Sequence, residues 1–193
     1  MEKKYELVDI KIEVFGRTLF RIRALRDIEK FGIKKGDLGG YIEKEENLSH
    51  DGDAWVSDNA WVSDNARVYD NARVSDNAWV FGSAWVFGDA RVFDNAWVFG
   101  SARVYGNARV SGDARVSGDA DIMWLSKIGS RLGTTTAFKE KDGKIGIKCG
   151  CFNGTLNEFT AKVEETHGDN KYGREYKAAI ELIKIHFEEE NKQ

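Results

Sequence analysis

The chain has 193 residues, 32% of them charged and 41% apolar, with a formal charge of −3. No run approaches the roughly 18 consecutive apolar residues of a helical membrane span, and the acidic balance argues against attachment to nucleic acid by bulk positive charge. Cys149 and Cys151 are the only cysteines, too few for a disulfide framework or a four-ligand zinc site, and proline, which a hydrogen-bonded ladder tolerates least, is absent.

The opening MEKKYELVDI carries charges where a signal peptide needs an apolar segment, so a cytoplasmic location is expected. Residues 5–25 hold two apolar strand-like runs about Phe15-Gly16-Arg17 and predict a β-hairpin. Gly36, Gly39 and Gly40 then punctuate the approach to a regular region. Residues 1–50 are expected to form a β cap, with Leu48 in an inward, alanine-type position just before the repeat begins.

From Asp53 the chain reads DAWVSD NAWVSD NARVYD NARVSD NAWVFG and keeps this period of six without an insertion. Valine recurs from Val56 to Val116, Ile122 takes the twelfth place, and alanine stands two residues before each, from Ala54 to Ala120. Residues two apart on a strand share a face, so alanine and valine point inward and the residue between them points outward. The remaining Ser, Asp, Asn and Gly residues suit corners, so each hexad reads as one short strand plus one turn. Three hexads per coil make a triangular prism of about four coils, roughly 19 Å tall at about 4.8 Å per coil. This prism is expected over residues 51–123.

The branched residue, the small residue four places later and the turn residues between them resemble the hexapeptide-repeat family of left-handed β-helix proteins. The resemblance implies left-handed winding and, because such proteins are often trimers with parallel prism axes, a homotrimer. Many members are acyltransferases with a histidine base on a coil, and others hold a metal on three histidines. Here His50, His167 and His186 all lie outside the hexads, and no inserted loop builds an acyl-donor pocket. The family's catalytic positions therefore have no counterparts, and no catalytic, metal or cofactor residue is expected.

Residues 124–193 are expected to form a small α+β unit. Two or three strands come first, with a hairpin turn at Lys141-Asp142-Gly143; Thr155 and Glu158 have the spacing of a capping box at the start of a helix that ends near Gly168. A second helix from about Asn170 to Glu189 places Tyr176, Ala179, Ile180, Ile183 and Phe187 on one side. This tail and the stretch GDLGGYIEKEENLS resemble uncharacterised phage and prophage proteins of Firmicutes that carry hexapeptide repeats. That likeness implies a host-cell cytoplasmic setting.

Outward residues 18 apart stack on one wall. The first wall carries Trp55, Arg73, Arg91 and Arg109; the second Trp61, Trp79, Trp97 and Arg115; the third Arg67, Trp85, Arg103 and Asp121. Tyr69, Phe87 and Tyr105 line one edge. Ladders of like aromatics stabilise stacked strands, but three tryptophans on one wall also fit an interface. The arginines suit a nucleotide phosphate, although corner aspartates are expected to pair with them and neutralise them. The reading that follows is a non-catalytic oligomeric binding or scaffold protein, in a phage setting an inhibitor or decoy of a host defence component. An acyltransferase-like enzyme with a degenerate site and a structural virion or polymer-forming protein are the alternatives.

Overall fold

A computed structural model describes residues 3–188. Strands β1 (Tyr5–Val14) and β2 (Arg17–Ala24) form an antiparallel hairpin whose two turn residues, Phe15 and Gly16, have φ of 49° and 75°. Strand β3 (Leu38–Ile42) pairs antiparallel with β2 and parallel with the repeat region. At Gly39 a Cβ would come 2.5 Å from Ile22 and 2.6 Å from the Val56 carbonyl, so only glycine fits where the chain passes from one arrangement to the other.

Eleven two-residue strands follow and form a parallel solenoid of about four turns. One wall is built by β4 (Trp55–Val56), β7 (Arg73–Val74), β10 (Arg91–Val92) and β13 (Arg109–Val110). A second is built by β5 (Trp61–Val62), β8 (Trp79–Val80), β11 (Trp97–Val98) and β14 (Arg115–Val116), continuing the sheet of β3. The third contains β6 (Arg67–Val68), β9 (Trp85–Val86) and β12 (Arg103–Val104). All the inward alanines and valines of these rungs are buried, which follows from the two-residue alternation.

Corner geometry repeats at the second residue after each valine from Val56 to Val110. Asp58, Asp64, Asp70, Asp76 and Asp94 have φ near 59° there, and Gly82, Gly88, Gly100, Gly106 and Gly112 take the equivalent place. A left-handed aspartate is tolerated when its side chain finds a local donor. Asp64 Oδ2 accepts from the Gly82 N–H at 3.0 Å, and Asp94 Oδ2 from the Gly112 N–H at 3.1 Å, one coil below in each case.

Two sequence expectations change at the ends. Leu48 pairs with Val68 and is buried in a valine-type position, not an alanine-type one. The ladder partners Leu48 and Val68 are 20 residues apart, whereas Val56 and Val74 are 18 apart, because Ser49–Asp53 lengthens this first passage. At the other end Ile122 is not a twelfth rung. It begins β15 (Ile122–Ile128), which pairs with β16 (Gly133–Lys139), and the meander continues through β17 (Ile145–Cys149) and β18 (Phe152–Thr155). Asp121 accordingly leaves the third wall: it accepts from Ser117 and pairs with Lys139 at 3.1 Å.

The meander packs on the last coil, with Phe138 joining the solenoid's interior cluster and Thr136 Oγ1 accepting from the Arg109 N–H at 3.0 Å. Helices α1 (Leu156–His167) and α2 (Lys171–Phe187) cover the meander's other face and form a second core around Ala137, Ile147, Phe159 and Ile180. Thr155 caps α1 in a reciprocal box with Glu158, and Asn170 caps α2. Glu189, the expected end of the second helix, lies outside the described residues.

Candidate interaction surface

The second wall is a column of parallel indoles. Trp61 and Trp79 stack with centroids 4.4 Å apart and an interplanar angle of 13°, and Trp79 and Trp97 at 4.5 Å and 10°. Arg115 closes the lower end, its guanidinium carbon 4.2 Å from the Trp97 ring centre. Burial there lowers the Arg115 pKa, and Nη1 donates to the Ala114 carbonyl at 2.7 Å. Register makes the column: strand partners are Trp61 with Trp79, Trp79 with Trp97 and Trp97 with Arg115.

Phe15, read from the sequence only as a turn residue, stands over this column. Its ring meets Trp79 edge-on at 5.7 Å while remaining 81% exposed. A bulky residue at positive φ is an uncommon occupant of a two-residue turn, where Asn, Asp or Gly is the usual choice. The turn is tied down by Arg17, which pairs with Asp64 and with Glu43 at 3.4 Å. Between hairpin tip and wall lies a mostly apolar groove of about 330 Å³, floored by Trp61, Trp79 and Trp97.

On the first wall the residues separate. Trp55 points outward from its strand but is fully buried, because Tyr5 packs edge-on against it at 6.5 Å. Arg73, Arg91 and Arg109 stand in register on successive rungs. The expected neutralisation by corner aspartates does not occur as ion pairs: among the described residues no carboxylate oxygen lies within 4.0 Å of these three guanidinium groups. The aspartates hydrogen-bond the backbone of the next coil instead, as Asp58 does toward Asp76 and Asp76 toward Asp94. Arg73 lies beside Phe31, 5.5 Å from its ring centre.

Along the third wall's edge Tyr69, Phe87 and Tyr105 stack at 4.9 and 5.1 Å, and Trp124 meets Tyr105 edge-on at 4.5 Å. Arg103 lies 5.5 Å from the Trp85 ring centre. The structure therefore gathers the candidate residues into three separate columns and removes Trp55 from the exposed surface.

The histidines are positioned by aromatic contacts. His50 stacks on Tyr5 at 4.3 Å, His167 on Tyr176 at 5.7 Å, and His186 meets Phe187 at 4.8 Å. The Cys149 thiol accepts from Thr135 Oγ1 at 3.1 Å, and Cys151 is exposed. Burial and the neighbouring Cys149 push the Tyr176 hydroxyl well above its ordinary pKa.

A family model described as the YdcK β-solenoid repeat matches residues 66–82, 72–88 and 102–118. A search of curated proteins found no match. The matched segments cover rungs from β6 to β9 and from β12 to β14, so over those rungs the chain is similar to a β-solenoid repeat family.

Proposed function

We propose that the chain is a non-catalytic binding or scaffold protein that assembles with further copies of itself through the tryptophan wall. The observation that carries this reading is the half-exposed column of Trp61, Trp79 and Trp97 facing a groove beneath Phe15. Three indoles on one rigid face offer much apolar area at little entropic cost, the composition typical of interface centres. The hexapeptide-repeat resemblance favours a left-handed solenoid and a trimer with parallel axes, and residues 1–50 act as the cap of its first coil. The phage and prophage likeness favours a role in a host cytoplasm, as an inhibitor or decoy that holds a host protein or nucleotide by binding alone. Phe138, which fills the last coil from outside the repeat, opposes end-to-end polymerisation.

The double variant Trp79→Ser, Trp97→Ser tests the interface. Sedimentation should show monomers while circular dichroism retains the strand signal, since the inward Ala and Val ladder is untouched. An assembly mass unchanged from the parent protein would overturn the proposal.

A further inference from the structure

The aromatic column on the third edge is one ring short. Tyr69, Phe87 and Tyr105 repeat at 4.9 and 5.1 Å with interplanar angles of 4° and 11°, and the lower end meets Trp124. One rung above Tyr69 stands Ser49. Its N–H donates to the Val68 carbonyl at 2.9 Å, the same ladder bond that the Tyr69 N–H makes to Val86 at 3.1 Å. A hydroxymethyl group thus occupies the place where the column would carry its next ring, and among the described residues no other ring stacks on the upper face of Tyr69.

That rung opens into a cleft of about 550 Å³, within the range of small-molecule sites. Glu45, Glu46, Ser49, His50 and Arg67 surround Tyr69 there, and Trp85, 39% exposed, also lines the cleft. The lining therefore offers both carboxylate acceptors and a guanidinium donor. Glu45 is partly engaged, 2.6 Å from Lys3 and 3.7 Å from His50 Nε2, and Lys3 holds its carboxyl below the usual range. Glu46 makes no ion pair among the described residues. The His50 ring is fixed by Tyr5 and accepts the Lys4 N–H at Nδ1, while its buried Nε2 has no hydrogen-bond partner.

We propose that this cleft binds a neutral planar heteroaromatic ring bearing both N–H donors and carbonyl or ring-nitrogen acceptors, the chemistry of a nucleobase, seated on Tyr69 as the missing ring of the column. Stacking sets the plane, the carboxylates accept the ring's amino or imino hydrogens, and Arg67 donates to its acceptors. Two adjacent carboxylates disfavour a phosphodiester at the same place, so the ligand is a free base or nucleoside and not a nucleic-acid strand. This site is separate from the tryptophan wall and stands whether or not that wall assembles.

Saturation-transfer NMR on the full chain with millimolar adenosine, guanosine, cytidine and uridine tests it. At least one nucleoside should receive saturation, more strongly on base than on ribose protons. Tyr69→Leu should weaken binding about tenfold or more, and Tyr69→Phe should keep it. Ser49→Phe supplies the ring from the chain itself, so it should abolish binding and raise the melting temperature. No transfer to any of the four nucleosides, binding undiminished in Ser49→Phe and Tyr69→Leu, or tighter binding of a short single-stranded oligonucleotide would each overturn the proposal.

Discussion

Lys4 is fully buried at the start of the solenoid, where the first strand of the arginine wall has no strand above it. Its Nζ donates to the Ala54 carbonyl at 2.7 Å and more weakly to Gly52, supplying the donor a preceding coil would have provided. Loss of water, reinforced by Arg26 and opposed by Asp53 and Asp51, pulls its pKa down to about 8 from 10.5. The folded chain therefore gives up this proton before the unfolded chain does, and between about pH 8 and 10.5 the unfolded state holds more protons. Stability contributed by this group rises with pH through that window. Tyr5 acts in the opposite sense: burial, then Glu45 and Glu46, raise its pKa well above 10, so the unfolded tyrosine ionises first and stability falls above about pH 10. Urea denaturation midpoints should increase from about pH 8 to about pH 10, and Lys4→Met should flatten that rise. An equal rise in the variant would place its origin elsewhere. None of this was legible in MEKKYELVDI, because the groups around this lysine come from distant parts of the chain, among them Arg26, Gly52 and Ala54, while inward Ala and Val were legible from spacing alone.

The strands and helices differ in how far local pattern determined them. Six-residue periodicity predicts rungs wherever the ladder continues, and the rungs from Trp55 to Val116 follow it. It fails at Leu48 and Ile122 for related reasons. The Ser49–Asp53 passage alters the count by two residues at one end, and the pairing of Ile122 with Phe138 draws the chain into an antiparallel sheet at the other. Periodicity cannot register a partner from outside the repeat. Phe138, 1% exposed, plugs the last coil with an aromatic ring among small side chains. Phe138→Ala should cost about 3–5 kcal/mol in urea denaturation, the usual penalty for removing a buried phenylalanine. A loss under about 1 kcal/mol would mean that the last coil is closed without it.

At the scale of the whole molecule, a rigid prism carries three side-chain columns whose composition the sequence states directly, since residues 18 apart share a wall. The columns of Trp61, Trp79 and Trp97, of Arg73, Arg91 and Arg109, and of Tyr69, Phe87 and Tyr105 were legible for that reason. What covers them was not. Phe15 over Trp79 and Tyr5 over Trp55 come from the hairpin, and its long-range placement leaves no mark in local spacing. The corner aspartates were expected beside arginines because charge alone suggests it, but the left-handed turn directs several of them to backbone N–H groups of the next coil. The half-exposed tryptophan column and the groove it floors are what the proposed binding role and the proposed interface rest on. Native mass spectrometry of the unaltered chain at low micromolar concentration tests that claim most directly: the account predicts a trimer, and a monomer at every concentration would contradict it.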